Sequence, residues 1–92
     1  MIQTFKHKGL ERFFRQGDRS VIQPHHANKL RLLLSALDSA SEVSDMGAPN
    51  WDLHPLLGDM QFTWSVSVNG NWRLVFKFHD GHAYMVNYMD YH

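Results

Sequence analysis

The sequence predicts an α+β domain in which a short N-terminal strand and two helices precede an antiparallel sheet meander, with the helices on one face of the sheet. Three observations carry that prediction. Ala27, Leu30, Leu33, Leu34 and Leu37 recur at three- and four-residue spacing, the period of a helix with one buried stripe. From Trp51 onward the apolar period drops to two, the period of strands. Asn69-Gly70 and Asp80-Gly81 then supply two-residue turns of the hairpin type between the alternating segments.

Ile2-Gln3-Thr4-Phe5 alternates and predicts the short strand. A basic helix over residues 7–16 follows, burying Leu10, Phe13 and Phe14, and Gly17 ends it because glycine enters the left-handed conformation at little cost. Pro24 suits a first helical turn, so the main helix spans 24–40. Gly47 and Pro49 mark 41–50 as a loop with a brief helical turn at Asp45-Met46. Phe62, Trp64, Val66 and Val68 then alternate with Thr63, Ser65 and Ser67, and Trp72, Leu74, Phe76 and Phe78 with Arg73, Val75 and Lys77. A last strand from about His82 to Met89, with Tyr84, Val86 and Tyr88 inward, completes the meander, whose aromatic face the helices cover.

The two-residue period also assigns faces. With Trp51 and Leu53 inward, His54 falls on the polar side together with Ser65, Ser67, Arg73 and Lys77. Tyr91 shares that side by alternation. Asp90 and His92 join it only if the last strand ends near Tyr88 and the tail curls, and such a curl is the expectation.

Ninety-two residues make one domain, 1–92, with a single core. There is no cysteine, which excludes disulfides and thiolate metal sites. Apolar runs such as Leu32-Leu33-Leu34 are far below the roughly 20 residues of a membrane span. The first residues lack the apolar core of a signal peptide, so a soluble cytoplasmic protein without membrane contact is expected. Net charge is zero, but residues 1–31 carry seven basic against two acidic side chains, and residues 32–92 two against seven. The basic N-terminal part is equally compatible with a phosphate-binding surface and with a solvated helical face. His25-His26 and the pair His79 and His82 offer too few convergent ligands for a metal, and neither metal nor cofactor is expected.

Histidine transfers protons near neutral pH, and arginine stabilises phosphate charge without losing its own. His54, Arg73 and the terminal Asp90-Tyr91-His92 therefore point to phosphoryl transfer on a nucleic acid. Each has a plainer reading: a surface imidazole, a cross-strand ion pair or a frayed chain end.

Phe5-Lys6-His7-Lys8-Gly9-Leu10, Leu53-His54-Pro55-Leu56 with Gly58-Asp59, Trp64-Ser65-Val66, Gly70-Asn71-Trp72-Arg73 and Asp90-Tyr91-His92 together resemble the HigB group of toxins in the RelE superfamily. The resemblance runs nearly end to end. It implies a RelE-like fold and a ribosome-dependent mRNA endonuclease. It also implies a HigA-type helix-turn-helix antitoxin as partner, with operator DNA met only through the toxin–antitoxin complex. The family's functional histidines map onto His54 and His92, its terminal Asp-Tyr pair onto Asp90 and Tyr91, and its arginine at the scissile phosphate onto Arg73. Leu57 stands where the family commonly has a lysine and Met89 where it has an acid.

On this resemblance, the substrate 2′-hydroxyl attacks the adjacent phosphorus, with His54 and His92 as acid and base in either order. Asp90 would orient a histidine, Tyr91 would stack on a base or donate to the phosphate, and Arg73 would clamp the nonbridging oxygens. Lys6, Lys8, Arg12, Arg15 and Arg31 form the candidate surface for ribosomal RNA, and Lys77 compensates for the absent loop lysine. The alternatives are a catalytically weakened module that binds antitoxin and regulates its operon, and a ribosome-independent ribonuclease.

Overall fold

The computed structural model describes residues 1–56, 58 and 62–91. Helix α1 spans Lys8–Gln16. The His7 imidazole accepts the Leu10 N–H at 3.0 Å and so satisfies one of the donors that a helix start leaves open. At the other end Gly17, at φ 75°, closes the helix with its N–H on the Phe13 carbonyl. The second helix starts later than its apolar period suggests, because Pro24–His26 winds as a tighter 3₁₀ turn before α2, Ala27–Ser39. A second 3₁₀ turn covers Val43–Met46.

Among the described residues four antiparallel strands follow in simple order: β1 (His54–Pro55), β2 (Thr63–Asn69), β3 (Trp72–His79) and β4 (His82–Asp90). Residues 2–5 do not form a continuous strand. They run parallel to β4 and meet it at two isolated bridges, Ile2 with Ala83 and Phe5 with Val86. One core cluster joins Leu10 and Phe13 of α1 and the α2 stripe to Val66, Leu74, Phe76, Val86 and Tyr88 of the sheet. Among the described residues no helix is long and apolar enough to cross a membrane.

Three side chains depart from simple alternation. Phe62 is 60% exposed, because it lies at φ 59° in the turn before β2 rather than in the strand. Tyr84 is opposite Lys77 on the polar side instead of in the core. The cause is a bulge: β3 advances two residues from Val75 to Lys77 while β4 advances three from Tyr84 to Asn87, with Met85 at φ 53°. Ala83 therefore takes the core position. Ser65, expected on an open face, is fully buried. Finally, β4 runs through Asp90, so the expected curl after Tyr88 is replaced by continued pairing.

Candidate active site

The pairing register places one row across all four strands on the face opposite the helices: His54, Ser65, Val75 and Asn87. Ser67, Arg73 and Met89 form the next row on one side, and Thr63, Lys77 and Tyr84 the row on the other. Side chains in one row stand about 5 Å from their neighbours across the strands. Chemistry that needs two residues of adjacent strands is therefore within reach, and the structure shows such an assembly around Arg73.

The Arg73 side chain is only 11% exposed. Its Nε donates to Ser65 Oγ at 2.9 Å, one Nη to the Asp52 carboxylate at 3.1 Å and the other Nη to the Asp52 carbonyl at 2.7 Å. All three bonds hold the planar fork in one orientation. A lysine could not be held in this way, since its ammonium is a point charge on a flexible stem.

His54 stands beside this fork. Its Nδ1 lies 3.2 Å from the Asp52 carbonyl, which only accepts, and 3.4 Å from an Arg73 nitrogen, which only donates. Either ring tautomer therefore finds a partner, a useful property for a group that must both take and give a proton. Nε2 faces Ser65 Oγ at 3.5 Å, and the ring is about half exposed.

Asp52 is the residue that the sequence reading missed. It occupies the left-handed region at φ 51°, uncommon for a residue with a side chain, and so turns both its carbonyl and its carboxylate toward Arg73. The signal was available: in Trp51-Asp52-Leu53-His54 the two-residue period puts Asp52 on the same side as His54.

The terminal residues enter differently. Tyr91, whose N–H donates to the Asn71 carbonyl at 2.8 Å, returns to the face of Arg73 and is exposed. Asp90 pairs with Trp72 and by alternation starts from the other side of the strand. His92 and Leu57 lie outside the described residues. Met89 is directly opposite Arg73.

The basic residues divide into two sets. Lys8 and Arg15 pair with Glu11, Arg12 pairs with Asp18, and Arg31 lies over the Phe13 ring, all on the helical layer. Lys6 and Lys77 instead line a cleft on the Arg73 face. Lys77 is four residues along β3 from Arg73, about 13 Å, too far to share one phosphate with it.

The remaining histidines have local roles. His26 is buried with Nδ1 at 2.7 Å from the Tyr88 hydroxyl. Burial, and secondarily the neighbouring His25, push its pKa down. Burial pushes the Tyr88 phenol up, partly offset by the Gln23 N–H that it accepts. His82 meets Gln3, and His79 lies 3.4 Å from Asp80.

Residues 3–92 match the family described as RelE-like toxin of type II toxin-antitoxin system HigB. The chain is 41% identical over 92 residues to Endoribonuclease HigB of Proteus vulgaris, covering the whole of both. It is 34% identical over 94 aligned positions to Toxin HigB-1 of Vibrio cholerae, covering all of this chain and 98% of that one.

Proposed function

The chain belongs to the HigB family of RelE-like toxins of type II toxin–antitoxin systems, and from that premise we propose that it is an endoribonuclease cutting mRNA on the ribosome. In this reading residues 1–92 act as one toxin domain in the cytoplasm, held in check by an antitoxin of the HigA type. Operator DNA is met only through that complex. The full-length likeness to a relative named an endoribonuclease supports the activity. The observation that carries the chemistry is the adjacency of an imidazole and an anchored guanidinium, His54 and Arg73, 3.4 Å apart on one sheet face.

The reaction needs three things. A base removes the proton of the 2′-hydroxyl, whose oxygen forms a bond to the adjacent phosphorus. The bond from phosphorus to the 5′-oxygen breaks, and an acid protonates that oxygen. Between these events extra negative charge gathers on the nonbridging oxygens. His54 and His92 supply the base and the acid. Arg73 faces the nonbridging oxygens with the N–H groups that Ser65 and Asp52 leave unused, since a guanidinium carries five. In this reading Asp90 orients the His92 ring. Tyr91 stacks on a base beside the cut.

A message on programmed ribosomes with a single 2′-deoxy nucleotide at the cut position tests the reaction type. Cleavage should stop at that position alone, and elsewhere the products should end in a cyclic phosphate and a 5′-hydroxyl. Continued cutting at the deoxy position would sink the mechanism. Met89, an apolar thioether in the row of Arg73, favours one rival, a weakened module that binds antitoxin without cutting. A folded chain that binds antitoxin and leaves every message intact would establish it.

A further inference from the structure

The face that carries His54 and Arg73 continues toward β4 into a cleft of about 300 Å³. That volume is at the low end of small-molecule pockets, which run from about 300 to 1,000 Å³, and suits one flat ring rather than a helix. We propose that this cleft receives a nucleobase of the cleaved strand, next to the scissile phosphate held by Arg73.

Four observations support it. The floor is apolar: Val75 is buried, and Met89 and Met85 line the cleft with polarisable sulfurs that favour contact with aromatic rings. Met85 reaches there because of the β4 bulge, which the Thr4 hydroxyl fixes by accepting the Met85 N–H at 2.8 Å. Bulges of this kind re-aim a side chain beside a functional site.

At the wall stands Asn87, whose Oδ1 is engaged by the Tyr88 N–H at 3.0 Å while, among the described residues, its Nδ2 meets only the Met89 sulfur at 3.5 Å, a weak acceptor. The amide thus presents a donor toward an acceptor on a base edge. Tyr91 supplies an aromatic face for stacking, and Lys6 and Lys77 flank the opening. Among the described residues neither lysine has an acidic partner, unlike Lys8, Arg12 and Arg15.

Placement completes the argument. Val75 pairs with Ser65, which bonds Arg73, and Met89 pairs with Arg73 itself. The cleft therefore begins one strand spacing, about 5 Å, from the group that would hold the phosphate.

The inference rests on the ribonuclease reading, so its test separates the two. Methionine-methyl NMR spectra of the isolated chain are followed during titration with the four nucleoside 5′-monophosphates, with inorganic phosphate as control. Met85 and Met89 should shift with nucleotides and not with phosphate, and Asn87→Ala should weaken binding about fivefold, as for one lost hydrogen bond. Lys77→Ala, at an exposed position, should also weaken it, and serves if Asn87→Ala fails to fold. On ribosomes Asn87→Ala should redistribute the cut sites.

Equal shifts with phosphate alone, no shift with any nucleotide, or a response only to antitoxin would overturn the base site. Wild-type cleavage without nucleotide binding would do the same while leaving the ribonuclease reading intact. Nucleotide binding by a chain that never cuts RNA would keep the cleft and sink the ribonuclease reading.

Discussion

Replacing Arg73 separates what the guanidinium does for the fold from what it does for the reaction. In Arg73→Ala the buried Ser65 hydroxyl loses its 2.9 Å donor and, among the described residues, keeps only His54 Nε2 at 3.5 Å. An unsatisfied buried hydroxyl costs about 1–3 kcal/mol. The Asp52 side chain is 67% exposed, so the lost ion pair adds at most about 1 kcal/mol. The expected destabilisation is therefore about 1–4 kcal/mol, read as a lower urea midpoint.

Cleavage should fall much further. A preorganised donor at a developing oxyanion is worth about 100- to 1,000-fold, and that loss is expected in single-turnover cutting of ribosome-bound message, at a temperature where the variant is folded. Arg73→Lys keeps the charge but cannot hold Ser65 and Asp52 at once, so it should stay at least about tenfold slow. Wild-type rates in Arg73→Lys would refute the role of the anchored fork. A wild-type midpoint and wild-type cutting in Arg73→Ala would refute the account of the residue altogether.

Three further outcomes are expected. Because the folded state keeps His26 below its ordinary pKa, the unfolded chain takes up that proton first, and stability should fall as pH drops below about 6.5. His26→Gln should lose this step, and identical pH profiles of the urea midpoint would contradict it. If Lys8 and Arg12 meet ribosomal phosphates, the double alanine variant should flatten the dependence of log affinity on log salt by up to about 2; an unchanged slope in a binding titration would remove them from that surface. Residues added after His92 should impair cleavage while antitoxin binding persists, and full activity with a bulky extension would argue against a role for that imidazole.

Much of this structure was legible because alternation fixes side-chain direction wherever backbone pairing is regular. Val66, Leu74 and Phe76 are buried on the helix side, and Arg73 and Lys77 point away, as the two-residue period requires. Alternation failed at Tyr84, where the bulge shifts the parity with a methionine, Met85, rather than a glycine or asparagine at its left-handed position. It failed at Phe62 because an apolar residue in a turn extends the pattern one position too far.

The site divides the same way. His54 and Arg73 were placed on one face by period alone, but their direct contact depends on Asp52, whose left-handed backbone lets one residue offer two acceptors to the guanidinium. Local sequence does not show that conformation. The cleft was still less visible, since it needs the bulge, the extended reach of β4 and the parallel N-terminal segment to bring Lys6, Lys77 and Met85 together.

The most direct measurement is 5′-end mapping of an mRNA on programmed ribosomes and of the same RNA free in solution, with the purified chain, His54→Ala and a form lacking His92. New ends that require ribosomes, appear with the wild-type chain and vanish in both variants are the predicted result. No new ends from a folded wild-type chain, or equal cutting by His54→Ala, would contradict the account.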